Sequence, residues 1–238
     1  MTVDTQAIGQ TGSYLNSPPA TPDLKTKFEA ITSQICVIQS PLMPNPSKIK
    51  NQAFAWDEVE YIVENNHLEI LARSRSETKR YLEFKHILKE RGTTVLEYLM
   101  NHELKWDKKD LKQTAVNDTI IFNDPTEIKI MYNKFPYYFE DDVHHLCVWS
   151  KKSIPADINS EEGDISDDMK RIIETFVEKT FVKLIGVPRD QLLWFKNWGV
   201  LQSVKDVSHI HILIKDIDGE FKPKIDELLI GKSGVMFQ

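Results

Sequence analysis

The residues with the most chemical potential in this chain are His209 and His211, separated by a single isoleucine. On a β-strand the period of two places both imidazoles on one face, with their side chains adjacent. Such a pair can attack an electrophile such as phosphorus while a neighbour handles protons, or it can bind a metal. A short H-x-H motif is also met where both rings are simply hydrogen-bonded at a sheet edge. Further candidates lie in two nearby segments. His145, Cys147 and Trp149 alternate ahead of Lys151, while Asn197 stands between Trp194 and Trp198 and is followed by Gln202-Ser203. The two tryptophans could form an aromatic wall against a sugar ring or a base, and Tyr137-Tyr138 could line the same cleft. Asp141-Asp142 beside His144-His145 has the residue types of a metal site, although carboxylates in a solvated turn account for it as well. Cys147, within an apolar alternation, reads as a buried thiol rather than a nucleophile.

The elements that must position these groups can be read from periodicity. His209–Lys215 alternates strictly, with Ile210, Ile212 and Ile214 on one face and His209, His211, Leu213 and Lys215 on the other. His145–Trp149, Gln191–Phe195, Glu127–Tyr132 and a short run at Thr119–Phe122 also read as strands. The longest helical pattern runs from about Ile165 to Ile185, with Met169, Ile172, Ile173, Phe176, Phe181 and Leu184 as its apolar stripe. Asp164 or Ser166 can cap it, and Gly186 and Pro188 stop it. Upstream, Phe54 to Trp106 shows three amphipathic helical segments, and a short helix is expected near Pro223–Leu229.

Composition narrows the class. Of 238 residues, 41% are hydrophobic and 10% aromatic, too many for a wholly disordered chain. No apolar run approaches the roughly 20 residues that a membrane-spanning helix needs. Lys and Arg total 30 against 36 Asp and Glu, a net charge of −6. That balance argues against nucleic-acid and anionic-membrane partners and leaves room for one small anion. Two cysteines make no disulfide framework, and the N-terminus lacks a signal-peptide pattern, so a reducing, cytoplasmic location is expected. Six of the eleven prolines fall in the first 46 residues, and residues 1–50 are expected to be a disordered tail. Residues 51–238 suit a single domain, with a helical lobe over 51–110 and a sheet-bearing unit over 115–238. The fold class expected is α+β: a mostly antiparallel sheet with one long helix across it, preceded by the helical lobe.

Two resemblances follow from these segments. The order of the strand ending in Lys151, the long helix, Asn197-Trp198-Gly199, Gln202-Ser203-Val204 and His209-Ile-His211 resembles the histidine-triad superfamily of nucleotide hydrolases and transferases. It implies that His211 matches the nucleophilic histidine and His209 the first of the triad. Asn197, Gln202 and Ser203 then match phosphate contacts, with His145 and Lys151 on the preceding strand. The third histidine of that pattern is Leu213 here, which can neither bind phosphate nor move a proton. A longer likeness, through Phe122–Met131, Asn133-Lys-Phe-Pro-Tyr, His145–Lys151, Trp194–Val204 and the helical stretch to Trp106, is to the fungal N-acetylglucosamine-induced protein family. It implies a cytoplasmic protein linked by name to an amino-sugar response. Three functions are therefore carried forward. The first is a regulatory or ligand-binding protein whose H-x-H face lines a pocket for a small phosphate- or sugar-containing ligand, without a cofactor. The second is a histidine-dependent phosphoryl or nucleotidyl enzyme. The third is a metal-dependent enzyme using His209, His211 and a carboxylate or His145.

Overall fold

The computed structural model describes residues 23–41, 46–114 and 121–230. The chain forms α1 (Leu24–Thr32), β1 (Ile35–Ile38), β2 (Ser47–Lys50), α2 (Trp56–Glu64), α3 (Arg75–Glu90) and α4 (Val95–Tyr98). From α4 it runs on as a π-helical segment, Leu99–Leu104. Then come β3 (Ile128–Tyr132), β4 (Val143–Ser150), α5 (Asp167–Val177) with a π-helical continuation Glu178–Ile185, β5 (Leu192–Phe195), β6 (Ser208–Lys215) and α6 (Phe221–Ile230). Among the described residues no helix is long and apolar enough to cross a membrane.

Local chemistry sets the helix ends. The Ser166 hydroxyl accepts from the Met169 amide at 3.3 Å, and Asp167 and Asp168 complement the positive end of α5. The π-helical continuation stops at Gly186, whose φ of 87° is a left-handed cap that a side chain would disfavour. Thr94 and Glu97 form a reciprocal capping box at the start of α4.

Strands β3-β4-β6-β5 make one antiparallel sheet in that order. Alternation gives the sheet two apolar faces. On one, Leu146, Val148, Ile210, Ile212 and Ile214 pack beneath Met169, Ile173, Phe176 and Phe181 of the long helix. On the other, Leu213 and Phe195 meet Phe54, Val59 and Ile62 of the helical lobe, and Cys147 and Trp149 meet Leu99, Met100 and Leu104. The α+β architecture, with the long helix on one face and the lobe on the other, is as the periodicity predicts.

Two expectations need correction. Residues 1–22 and 42–45 lie outside the described residues, but 23–41 and 46–50 are not a structureless tail. They form α1 and the antiparallel pair β1–β2, and Ile31, Ile49 and Lys50 are buried. The prolines are compatible with this hairpin because Pro41 and Pro46 flank the connection between its strands, where a missing N–H breaks no ladder bond. The second concerns Thr119–Phe122, read as a strand. Thr119 and Ile120 lie outside the described residues, and Phe122 has a φ of 66°, which a strand cannot contain. Its ring stacks on Phe176 at 4.8 Å instead.

Lys50 ties the N-terminal hairpin to the lobe. Its fully buried ammonium donates to Gln34 Oε1 at 2.8 Å and Glu58 Oε2 at 3.2 Å, and lies 4.4 Å from the centroid of the Phe54 ring. Removing one member of a buried ion pair costs more than removing both. Glu58→Gln should therefore lose about 3 kcal/mol, and Lys50→Met/Glu58→Gln should recover most of that loss. Urea denaturation of both variants checks this; a double mutant as unstable as the single would contradict it.

Candidate functional site

The lobe and the sheet enclose a cavity of about 250 Å³. Its floor is the lobe-facing side of the sheet: Cys147 and Trp149 from β4, His209 and His211 from β6, and Asn197 from the loop after β5. Its walls are largely aromatic, from Tyr81 and Phe84 of α3, Tyr98 of α4, and Phe135 and Tyr137 of the β3–β4 connection. The half-exposed pair Lys134 Nζ–Glu103 Oε1, 2.5 Å apart, completes the lining together with Arg73. The Arg73 guanidinium lies 4.6 Å from the Tyr81 ring and 5.4 Å from the Tyr137 ring, and its Nε donates to the Phe135 carbonyl.

Register explains the floor. Met131, Cys147, His211 and Phe195 lie opposite one another on β3, β4, β6 and β5, and form one row across the sheet. His145 sits diagonally behind, opposite Leu213. Its Nε2 is 2.9 Å from His211 Nδ1 and 3.1 Å from Asn133 Nδ2. Cys147 Sγ is 3.6 Å from His211 Nδ1. On the other edge of His211, Nε2 is 3.2 Å from Asn197 Nδ2, which also donates to the Tyr137 hydroxyl at 3.1 Å. Phe195 stacks on the His211 ring at 4.7 Å, and Tyr137 on His145 at 5.7 Å. Within this cluster two buried polar atoms have no hydrogen-bond partner, His145 Nδ1 and Asn197 Oδ1.

The environment disfavours charge on every member. Burial, reinforced by the Arg73 guanidinium and His209, drives His145 down to about 3. Burial, with the neighbouring His145 and His209, holds His211 well below the ordinary imidazole range. Burial also takes His209 to about 4 and pushes the Cys147 thiol up to about 12. Around neutral pH the floor therefore carries neutral imidazoles and a neutral thiol.

The expected site residues divide into three groups. His209, His211, Asn197 and Ser203 all line the cavity. His209 meets its partner edge to face, with ring centroids 5.2 Å apart, and stacks on Trp149 at 4.1 Å with Nδ1 3.2 Å from the Val207 carbonyl. His145 lies beneath the lining, and Gln202 braces it from outside by donating Nε2 to the Asn197 carbonyl at 2.7 Å. Lys151, Trp194 and Trp198 are not brought in. Lys151 Nζ lies 5.4 Å from the centroid of the Trp106 ring. Trp194 and Trp198 form no common wall. Trp194 packs on the long-helix face and donates to Glu174 at 2.6 Å, while Trp198 packs on the lobe side and donates to Asn66 at 3.1 Å. His144 points away from His145 and lies 2.9 Å from Asp216 Oδ2, so the Asp141–His145 run gathers no metal ligands. Conversely, His145, Cys147 and His211 converge, all buried, with donor atoms within 4.8 Å of one another. The H-x-C spacing on β4 was the available signal for Cys147. Asn133, Arg73 and Lys134 come from segments whose placement no local pattern reveals.

Fold and site define an α+β protein with an aromatic-walled cavity over a buried histidine–cysteine floor. The chain belongs to the family described as protein of unknown function (DUF3605), whose profile matches residues 55–215. It is 45% identical over 235 residues to N-acetylglucosamine-induced protein 1 of Candida albicans, covering 93% of this chain and 91% of that protein. An uncharacterised protein of Saccharomyces cerevisiae is 28% identical over 172 residues, covering 71% of this chain and 83% of the relative. Among solved structures, the crystal structure of HTC1 superposes with a TM-score of 0.60 at 26% identity, over 74% of this chain and 96% of that one.

A histidine whose value falls on folding binds its proton only in the unfolded state. Stability is then complete above the unfolded value, about 6.5, and is lost as pH falls toward the folded values. Each of His145, His209 and His211 should contribute a slope of about 1.4 kcal/mol per pH unit in that window. Denaturant titrations from about pH 6.5 down to 4, with chelator present, should show His209→Phe removing about one third of the combined slope. A variant with the wild-type slope would contradict this.

Proposed function

We propose that the protein is a small-ligand-binding protein with a regulatory role in amino-sugar physiology, holding its ligand in the cavity between lobe and sheet. The cavity itself carries this reading. Its 250 Å³ lies just below the roughly 300–1,000 Å³ usual for ligand pockets, a size for one sugar ring rather than a nucleotide sugar. Aromatic walls suit the C–H faces of a pyranose, and Asn197, Ser203 and the Lys134–Glu103 pair offer donors and acceptors for hydroxyl and acetamide groups. The name of the Candida albicans relative, induced by N-acetylglucosamine, supports the choice of amino sugars. Two free cysteines, Cys36 and Cys147, fit a reducing compartment, and we place the protein in the cytoplasm.

Histidine-dependent phosphoryl transfer finds less support in the same geometry. Leu213, at the third triad position, is fully buried among apolar lobe residues. Lys151 lies against Trp106, and the Gln202 amide is committed to the Asn197 backbone. That leaves His211 with a thiol, an imidazole and an amide around it, while the cations of the lining, Arg73 and Lys134, are engaged with the Phe135 carbonyl and with Glu103.

Calorimetric titration of the full chain with N-acetylglucosamine, its phosphate esters and a nucleotide sugar tests the proposal. A single amino sugar should bind in preference to the nucleotide sugar. Tyr98→Ala should weaken it about tenfold, equivalent to about 1.4 kcal/mol. Absence of binding by every compound of the class, or equal affinity in wild type and Tyr98→Ala, would overturn it.

A further inference from the structure

We infer that His145, Cys147 and His211 form a site for a thiophilic transition-metal ion, zinc or copper, whose open coordination position faces the cavity. The inference goes beyond the ligand-binding reading and does not depend on which organic ligand the cavity takes. Three lines of geometry support it.

The first is the spacing of donors. In tetrahedral zinc sites, metal–nitrogen and metal–sulfur lengths of about 2.0–2.1 and 2.3 Å put two nitrogens about 3.4 Å apart, and a nitrogen and sulfur about 3.6 Å apart. Here the corresponding separations are 2.9 Å for His145 Nε2 to His211 Nδ1 and 3.6 Å for His211 Nδ1 to Cys147 Sγ. The His211–Cys147 edge already matches, the His145–Cys147 edge lies within 4.8 Å, and a small ring rotation opens the nitrogen–nitrogen edge. The three donors stand on β4 and β6, the two inner strands of the sheet, so backbone pairing on both sides fixes them.

The second is the surrounding shell. Metal binding at His211 Nδ1 requires the ring proton on Nε2, where Asn197 lies at 3.2 Å. Turning the Asn197 amide by half a revolution presents Oδ1, now without a partner, to that N–H and to the Tyr137 hydroxyl. An outer acceptor that fixes the tautomer is the usual support of a ligating histidine.

The third is access. Cys147 and His211 line the cavity, and His145 lies behind them. Three protein ligands with a fourth position open toward a pocket is the arrangement of zinc sites that bind a water or a substrate. Met131 lies opposite Cys147 in register and also lines the cavity. A His₂Cys set with a nearby thioether is a donor combination that copper takes as well.

Titration of the chelator-stripped full chain with Co²⁺ tests the site. One equivalent should bind with a thiolate-to-cobalt charge-transfer band in the near ultraviolet. The band should vanish in Cys147→Ser and persist in Cys36→Ser, and His211→Ala should lower affinity by at least about 100-fold. Displacement by Zn²⁺ identifies a zinc site, and displacement by Cu⁺ but not by Zn²⁺ a copper site; either supports the inference. Should a variant fail to fold, the wild type still decides, because bound Zn²⁺ or Cu⁺ should slow alkylation of Cys147 and leave Cys36 unchanged. No charge-transfer band in wild type, a band surviving in Cys147→Ser, or unaltered Cys147 alkylation with both ions would overturn it. A cobalt band without amino-sugar binding would defeat only the function proposed above, and amino-sugar binding without a band only this inference.

Discussion

The antiparallel pairing of β4 with β6 is the constraint on which the rest of the molecule depends. It runs from Val143 opposite Lys215 to Ser150 opposite Ser208 and forms the middle of the sheet. Because side chains alternate, this one register sorts the chemistry of both strands. Leu146, Val148, Ile210, Ile212 and Ile214 go to the long helix, and His145, Cys147, Trp149, His209 and His211 go to the lobe. A slip of one residue in either strand would put imidazoles under α5 and isoleucines into the cavity floor. The apolar face therefore does more than stabilise the sheet. By requiring isoleucine at every second position beneath α5, it holds the histidines in place.

The lobe-facing side is a costly way to build a core. Three imidazoles, a thiol and the Asn197 amide are buried there, and none is placed to ionise. Buried polar groups are tolerated when they are hydrogen-bonded, and each one left unpaired costs on the order of 1–3 kcal/mol. His145 Nδ1 and Asn197 Oδ1 are left unpaired. Leucine or valine at these positions would pack against Leu99, Phe195 and the tyrosines without that penalty. Departures from the best local choice concentrate where a protein does its chemistry. Here two of them meet around His211, at His145 of β4 and at Asn197 in the loop after β5. The neighbouring helix is irregular too: Leu99–Leu104 is π-helical and ends in left-handed Lys105, with the Glu103 carbonyl accepting from Lys129 and its carboxylate from Lys134.

Much of this was legible in the sequence, for a reason specific to strands. Alternation is a strictly local signal, so the face carrying His209 and His211 and the face carrying Ile210 to Ile214 could be separated by inspection. The caps at Ser166 and Thr94, and the glycine stop at 186, are local as well. What the pattern could not supply is which strands are neighbours. Strand order adds Cys147, from across the β4–β6 pair, to the ring of His211, beside the His209 contact that alternation alone predicts. Trp194 and Trp198 read as an aromatic pair because they flank Asn197, four residues apart. The strand ends at Phe195, and the two indoles finish on opposite sides of the sheet. The N-terminal hairpin was missed because its stability is tertiary. Lys50 is held by Glu58 of α2 and Ile49 by its bridge to Arg73, contacts that no pattern within the hairpin reveals.

The cavity is a consequence of how the lobe is made rigid. Phe84 packs edge-on to Tyr98 at 5.0 Å and against Phe135 at 5.0 Å, and Tyr81 meets Phe135 at 5.1 Å. Interlocked rings of this kind resist moving inward, so the space above the histidines is held open. The cleft of about 250 Å³ opens to solvent beside the partly exposed Lys134–Glu103 pair, so water or a ligand can enter and fill it. A floor of imidazole nitrogens, amide atoms and a thiol gives water or a polar ligand the several hydrogen-bond partners it needs. The polar floor and the rigid aromatic wall are thus two halves of one solution. The wall keeps the space open, and the floor makes a polar occupant of the space more stable than either a void or a hydrocarbon.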